Sequence, residues 1–332
     1  MVKDFESYPQ HTTTMMDVHP SYNFPSTPTR LEIVGSCNGL LCLSYIHNHL
    51  AFCNPCTRSF KFLPYIGQLS RPLLIGLGYD GCGEDYKILS LPMVRAGAVS
   101  MACVYSLKTN SWRSSKPPSQ NYHEFMLRAN YGKFTNNKLH WCVFGGDYHS
   151  GPLFRIANFD LSSEEWGEFQ VPEVTESQEK TLFQAQDLGV LDGCLCLLED
   201  AHSNVVRVWI MKEYGVKESW SKLICVQGGT IVRSLWNAPI ACSDSEQRIL
   251  FQKRRSGRLF WYHTAHSLRE IGRIERLEFD QVRNHSSVSF CTCVGSLVPI
   301  PGSVPMALVK GERKKKRGKI KTIAKKLETM SL

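Results

Sequence analysis

Hydrophobic and polar residues alternate along this chain in short segments. Five times, an apolar segment of strand length runs into a polar turn, and an aromatic residue or its equivalent opens the next strand. These anchor positions are Phe60, Trp112, Trp166, Trp220 and, more weakly, Arg269, so successive anchors are 52, 54, 54 and 49 residues apart. A repeat of this length built from strands and turns is typical of β-propeller blades, which bury their apolar faces only by packing on neighbouring blades.

Each repeat divides into four predicted strands. The strands predicted in the first repeat cover residues 31–36, 39–45, 49–53 and 59–63. Between the first two, Asn38-Gly39 favours a tight hairpin turn because both residues tolerate positive φ. After the third strand of the fifth repeat, a strand at residues 268–271 and a last strand at residues 289–294 are predicted. No segment before residue 310 predicts a helix longer than three turns, so the pattern predicts an all-β propeller of five or six four-stranded blades.

The two ends of the chain differ from the repeats. Residues 1–29 contain four Pro residues and no regular period, which predicts an extended, disordered arm. Residues 30–300 hold the repeats, and residues 301–332 are predicted to be a flexible basic tail. The pattern leaves open whether the arm or a strand near residues 288–298 pairs with another blade to close the ring.

The formal net charge of +9 is concentrated in the tail. Residues 310–332 carry ten Lys or Arg and two Glu, whereas the remaining 29 basic and 28 acidic residues nearly cancel. A near-neutral body gives no electrostatic case for a nucleic-acid-binding platform. One cluster of cations in the tail is a candidate nuclear-import signal, and it consists of Arg313, Lys314, Lys315, Lys316 and Arg317. An inert solvated end, or contact with nucleic acid or a membrane, is the alternative for the same residues.

Cysteine usage and hydropathy predict the compartment. No apolar run approaches the ~18 residues that a membrane-spanning helix needs, and a polar N-terminus with Asp4 and Glu6 does not resemble a secretory signal. Most of the 13 Cys residues lie inside apolar strand segments, where a free thiol behaves as a small hydrophobic side chain. Because reduced thiols are typical of intracellular proteins, we expect the nucleus, the cytoplasm or both.

Three segments resemble chemical motifs, but each has a structural interpretation. The glycines of Gly76-Leu-Gly-Tyr-Asp-Gly81 have the spacing of a dinucleotide-binding loop, yet a strand pattern follows where that loop needs a helix. Cys53 and Cys56 have the spacing of a zinc or redox pair, without a matching second pair or a following helix. The third segment is the turn before Trp166, whose side chains Glu164 and Glu165 are interpreted as solvated turn residues. We therefore predict no cofactor, no metal site and no enzyme activity; a propeller enzyme is a remote alternative that would need carboxylates converging in a pocket.

The Trp residues at three anchor positions are interpreted as structural. Trp112, Trp166 and Trp220 recur at the same place in successive repeats. A large ring there can fill the wedge between two blades and bury about 150–250 Å². We expect these residues to anchor the blades and not to bind a ligand.

A series of motifs resembles a known family of domains. In chain order they are VGSCNGLLCL at 34–43, NPCTR at 54–58, GLGYD at 76–80, DYKI at 85–88, NKLHW at 137–141, IANFDL at 156–161, LGVLDGCLC at 188–196, VWIMKEYGV at 208–216 and GSLV at 295–298. Their order and spacing resemble the F-box-associated domain (type 1, kelch-like) of plant F-box proteins over roughly residues 30–300. The resemblance implies a kelch-like β-propeller.

The resemblance also implies a function in the protein ubiquitination pathway. In that family the propeller is the substrate-recognition part of an SCF-type ubiquitin ligase, and an N-terminal F-box docks on a Skp-type adaptor. Residues 1–29 are too short and too rich in Pro for an F-box. We therefore expect contact with the adaptor and a cullin only if another chain supplies the F-box or it lies outside this sequence. The alternative is a stand-alone protein-interaction module or a truncated competitor outside any ligase.

The binding surface is expected in loops, because a rigid scaffold commonly displays its recognition residues on variable connections. The substrate-binding residues themselves are unknown from the sequence. Selected by length alone, the candidate loops are residues 92–100, 117–124, 147–152 and 172–181.

Overall fold

The computed structural model describes the strands and their turns in thirteen stretches. They are residues 32–45, 49–66, 72–92, 101–118, 131–145, 153–172, 185–201, 205–227, 239–243, 248–252, 259–263, 274–277 and 296–305. These stretches contain strands β1 to β21 and a single 3₁₀ turn at Lys217–Ser219. None of their helical residues forms a segment long and apolar enough to cross a membrane.

The strands form five antiparallel sheets, numbered in chain order. Sheet 1 contains β1 (Glu32–Cys37), β2 (Leu40–Tyr45), β3 (His49–Asn54), β4 (Ser59–Phe62) and β21 (Val304–Pro305). Sheet 2 contains β5 (Pro72–Asp80), β6 (Asp85–Pro92), β7 (Ala102–Ser106) and β8 (Ser111–Ser115). Sheet 3 contains β9 (Lys133–Thr135), β10 (Lys138–Gly145), β11 (Leu153–Asp160) and β12 (Trp166–Gln170). Sheet 4 contains β13 (Ala185–Leu191), β14 (Cys194–Ala201), β15 (Val205–Met211) and β16 (Trp220–Gln227), and sheet 5 contains β17 (Ala241–Ser243), β18 (Arg248–Gln252), β19 (Leu259–His263) and β20 (Ile274–Leu277).

Tight turns join the first two strands of a sheet. Asn38 and Gly39 adopt φ values of 45° and 85°, and Asp192 and Gly193 adopt 47° and 78° at the corresponding turn of sheet 4. Asn, Asp and Gly tolerate this left-handed region, which two-residue hairpin turns require. The hairpin predicted at Asn38-Gly39 is thereby confirmed.

Neighbouring sheets share hydrophobic cores, as the blades of a propeller do. One core joins sheets 1 and 2, a second joins sheets 2 and 3, and two more join sheets 3 and 4 and sheets 4 and 5. The first strands β1, β5, β9, β13 and β17 lie against one another in that order, and Ile75 of β5 forms a parallel bridge with Tyr131. The predicted all-β propeller with four-stranded blades is confirmed, and the described residues contain five blades.

The glycines of the segment 76–81 make room for side chains of sheet 3. A Cβ atom at Gly78 would lie 2.4 Å from Cδ2 of Phe134 and 2.6 Å from Cδ1 of Leu161. At Gly76 it would lie 3.2 Å from Cζ2 of Trp141. Strand β5 ends at Asp80 and strand β6 follows it, so this segment is a strand and a hairpin turn that packs closely on the next blade.

The last strand of sheet 5 is β20, and the strand predicted at residues 268–271 lies outside the described residues. Strand β20 covers Ile274–Leu277 and pairs with β19, while residues 264–273 lie outside the described stretches. Ile274 opens its strand 54 residues after Trp220 opens β16. The repeat is thus more regular than the weak pattern at Arg269 indicated, because an Ile replaces the aromatic residue at the anchor position.

The chain returns to sheet 1 through β21. Val304 and Pro305 pair with Phe60 and Ser59 at the outer strand of that sheet. The propeller therefore extends beyond the boundary predicted at residue 300. Two residues form too short a pattern to reveal a strand, and a Pro is tolerated there because β21 is at the edge of the sheet.

Candidate partner-binding face

The antiparallel order of strands gives the propeller two different edges. Each sheet begins with its inner strand, and the parallel bridge between Ile75 and Tyr131 shows that the inner strands of sheets 2 and 3 run in the same direction. Hairpin turns after the first and third strands therefore lie at one edge, defined here as the turn edge. The connections after the second and fourth strands leave from the opposite edge, the loop edge. All four loops predicted to bind a partner connect strands at the loop edge.

Those four loops lie outside the described residues, except for the first one or two residues of three of them. The described parts are Pro92, Pro117 with Pro118, and Pro172. The described part of the loop edge therefore consists of the strand ends beside these loops.

An aromatic stack lies at the loop edge of sheet 1. Tyr45 ends β2, His49 begins β3, and their rings are stacked with centroids 5.6 Å apart. Tyr65, just after β4, also stacks with His49, with ring centroids 4.8 Å apart, and is 45% exposed. Phe62 packs edge-on against Tyr45 at 5.7 Å. The exposed Tyr65 ring thus stacks on His49, which itself stacks on Tyr45.

Other exposed hydrophobic side chains are distributed over the molecule. Met101, 46% exposed, directly precedes β7 and so also lies at the loop edge. Val216, 39% exposed, is in a turn at the turn edge. Leu223 is on the outer strand of sheet 4, and Leu297 and Val304 are in the C-terminal segment.

The inner strands of two non-adjacent sheets approach each other near the propeller axis at the loop edge. The inner strands β1 and β9, from sheets 1 and 3, contact each other there. The Tyr131 hydroxyl donates a hydrogen bond to the carboxylate of Glu32, the first residue of β1. This polar pair links two non-adjacent blades at the centre of the edge.

A clasp of charged residues joins sheets 2 and 3 at the turn edge. The Lys87 ammonium is buried, lies 2.9 Å from Oδ2 of Asp80, and donates to the Leu161 carbonyl at 2.7 Å. It also lies 3.3 Å from Oε1 of Glu164, which forms a second ion pair with Arg113. Glu164 is therefore not the solvated turn residue that was predicted. It faces two cations of the neighbouring blade, whereas Glu165 is exposed.

The carboxylates of the clasp are held in their charged form. Burial alone would raise the pKa of Asp80, but hydrogen bonds from Ser162 and the Gly83 amide, together with Lys87, lower that pKa to about 2. Burial also raises the pKa of Glu164, and the bonds and charges of Arg113 and Lys87 outweigh it and lower the pKa. Both groups are thus ionised at neutral pH and engaged with cations of the protein itself.

A neutral clasp joins sheets 3 and 4 at the equivalent position. His140 is the third residue of its sheet's second strand, as Lys87 is in sheet 2. Its Nδ1 lies 3.1 Å from the Lys133 carbonyl, and its Nε2 lies 2.7 Å from the hydroxyl of Tyr214 in the next blade. Burial lowers the pKa of His140 to about 4, so the ring is uncharged at neutral pH. The only signal of either clasp in the sequence is a polar residue inside an apolar strand.

Two of the anchor Trp residues donate hydrogen bonds to the preceding blade. The indole N–H of Trp112 donates to the Pro64 carbonyl at 2.8 Å, and that of Trp166 donates to the Lys116 carbonyl at 3.0 Å. Trp220 is 8% exposed, packs in the core between sheets 3 and 4, and its indole N–H has no hydrogen-bond partner among the described residues. All three rings pack in or against cores that two neighbouring sheets share.

The remaining candidate residues do not form a site in the described stretches. Cys53 is buried in β3 and Cys56 is exposed in the turn that follows. Within the described stretches, no group of three or more His, Cys, Asp or Glu side chains could hold a metal ion. The candidate import residues Arg313 to Arg317 lie outside those stretches.

The fold and its two edges define a β-propeller domain whose turn edge is internally bonded and whose loop edge presents exposed aromatic surface. A family model for the F-box associated beta propeller domain matches residues 1–300. The chain belongs to this family.

The chain is similar to curated F-box proteins of Arabidopsis thaliana. It is 32% identical to F-box protein CPR1 over 256 residues, covering 70% of this chain and 60% of that protein. It is 31% identical to F-box protein At4g22390 over 256 residues, covering 70% and 61%, and 29% identical to F-box/kelch-repeat protein At3g23880 over 212 residues, covering 62% and 56%. The chain spans about three fifths of the length of these relatives.

Two solved propellers are more remotely similar. The Dos1 propeller is 10% identical with a TM-score of 0.38, covering 73% of this chain and 57% of that chain. The β-propeller domain of the Trilobed protease from Pyrococcus furiosus is 15% identical with a TM-score of 0.36, covering 68% and 65%.

Proposed function

We propose that this chain binds a protein substrate for an SCF-type ubiquitin ligase and that its loop edge makes the contact. Membership of the F-box-associated family supports the ligase pathway, as do relatives that are F-box proteins. A Skp-type adaptor and a cullin are then partners through an F-box. The chain itself performs no chemistry in this role and acts by recognition.

The contrast between the two edges is the reason for placing the contact at the loop edge. At the turn edge, Lys87, Asp80 and Glu164 bond to one another across two blades and are engaged there. At the loop edge, Tyr65 presents an exposed ring that is already fixed by stacking on His49. A fixed aromatic side chain loses little conformational entropy on binding, and aromatic residues are enriched in protein interfaces.

The experiment is affinity purification of the full chain from plant cells with the proteasome inhibited. Recovery of adaptor and cullin peptides together with a further protein supports the ligase role. Reproducible recovery of a partner without adaptor or cullin would replace it with a stand-alone binding module.

The binding edge is tested with matched variants in the same experiment. Tyr65→Ala and Met101→Ala remove exposed hydrophobic side chains from the loop edge, and Val216→Ala removes one from the turn edge. We expect the first two variants to lose at least part of the substrate protein while Val216→Ala retains it. Loss with Val216→Ala alone would move the contact to the turn edge.

A further inference from the structure

Asn54 joins two parts of the chain that are more than 240 residues apart. It is the last residue of β3 and is fully buried. Its side-chain oxygen accepts from the amides of Cys56 at 2.9 Å and Thr57 at 3.2 Å. Its side-chain nitrogen donates to the carbonyls of Ser296 at 3.1 Å and Val298 at 2.8 Å. All four hydrogen-bonding positions of the carboxamide are therefore used.

The segment 296–305, defined here as the strap, is attached to sheet 1 in two further ways. Ile300 is buried in the core shared by sheets 1 and 2. Val304 and Pro305 form β21 on the outer strand of the same sheet. Val298 is partly buried against the same core, whereas Leu297 is 83% exposed.

The position of the strap gives it a topological role. Along the chain it follows sheet 5, and in space it lies on sheet 1. It therefore leads from the last described blade back to the first, which is where a propeller must close. The hydrogen bonds of Asn54 hold the start of the strap, and the apolar contacts of Val298 and Ile300 with the shared core add to them.

We propose that Asn54 is the positioning residue of a strap that closes the propeller, and that losing its two N–H bonds releases the strap while the blades stay folded. A carbonyl that loses its donor must gain water or another donor, and the carbonyls released here belong to Ser296 and Val298, which are only partly buried. The strap lies at the surface, so it can detach from sheet 1. The blades keep their own ladders and shared cores.

The test is amide hydrogen exchange on the full chain carrying Asn54→Asp. This variant keeps the oxygen that caps the turn at Cys56 and Thr57 but loses both donors to the strap. Loss of two hydrogen bonds of about 1 kcal/mol each predicts roughly 30-fold faster exchange. The faster exchange is expected at Val298, Ser303 and the paired strand β4, while the turn amides keep their protection.

Two further variants separate release of the strap from general unfolding. Asn54→Ala places no charge in the buried site and should speed exchange at both the strap and the turn. Deletion of residues 306–332 removes the chain beyond the strap and should change neither. If strap exchange is unchanged in Asn54→Asp and Asn54→Ala, or if all five sheets lose protection as much as the strap does, the proposal is overturned.

Discussion

Replacing Trp166 and Trp220 with Phe, one at a time, separates hydrogen bonding from burial at the blade anchors. Trp166 is only partly buried but donates to the Lys116 carbonyl. Trp220 is more deeply buried but its indole N–H has no partner among the described residues. Burial and hydrogen bonding therefore predict opposite orders of destabilisation for the two variants.

The lengths of the outer strands explain the difference between the anchors. The accepting carbonyls of Pro64 and Lys116 each lie four residues after an anchor position and beyond the end of β4 or β8. The corresponding residue after Trp166 is Gln170, which is still inside β12 and pairs with Arg155. Its carbonyl is therefore not presented to the next blade in the same way.

The expected magnitudes follow from these contacts. A smaller ring leaves a void that costs about 1–2 kcal/mol at either site. Trp166→Phe also loses a hydrogen bond of about 1 kcal/mol, so its free energy of unfolding should fall by about 2–3 kcal/mol. Trp220→Phe removes a buried donor without a partner, whose desolvation costs about 1–3 kcal/mol, so it should stay within about 1 kcal/mol of the wild type.

The assay is urea unfolding followed by far-ultraviolet circular dichroism, which does not depend on the fluorescence of the replaced Trp. Midpoint urea concentrations are compared between variants whose free energy of unfolding falls with urea at the same slope. A change in midpoint then reports a change in stability. Trp112→Phe is the control and should resemble Trp166→Phe because Trp112 also donates to a carbonyl. A greater loss of stability in Trp220→Phe than in Trp166→Phe would refute the reasoning and leave burial as the deciding factor.

Three further predictions concern the clasp, the glycines and the tail. Asp80→Asn should lower the free energy of unfolding at pH 7 by about 3 kcal/mol, because Lys87 stays buried with a weaker set of partners. The pKa of Asp80 is lowered from 3.8 to about 2. In the wild type, the stability that the Asp80 carboxylate contributes is therefore present above about pH 4 and is lost toward pH 2. Parallel profiles of stability against pH for the two proteins would contradict this. Gly78→Ala should lower the free energy of unfolding by about 1–3 kcal/mol through overpacking, as measured by thermal melting. Gly81→Ala should be neutral, because the nearest atom to its added Cβ is 3.8 Å away. Equal melting points for the two variants would argue against close packing at Gly78. Deleting residues 310–332 should abolish nuclear accumulation of a fluorescent fusion, and an unchanged distribution would remove the import hypothesis.

Much of the fold was predictable because propeller blades repeat local patterns. Residues that are close in the sequence encode the period of about 50 residues, the four strands of each repeat and the Asn38-Gly39 hairpin. Each of these features depends on interactions within one blade. Errors arose where that local signal is weak. The last strand of sheet 5 begins at Ile274 without an aromatic residue, and β21 has only two residues.

The candidate site was less predictable because its parts come from different blades. Loop length indicated where a partner binds, but the aromatic stack under Tyr65 combines residues from the ends of three strands. The role of Glu164 was misjudged because its cations, Lys87 and Arg113, are about 50 to 80 residues away in the chain. A turn with two Glu residues looks solvated until the neighbouring blade is placed beside it.

The sequence by itself determined the class of fold, the length of the repeat and the family, since all three depend on the order of hydrophobic and turn residues along the chain. Only the tertiary structure decided how the blades are joined. Lys87 and His140 occupy the same strand position but hold the next blade by charge in one case and by a neutral hydrogen bond in the other. Asn54 reaches carbonyls more than 240 residues away. A buried polar group must find its partner wherever the fold brings one, and sequence distance carries no information about that partner.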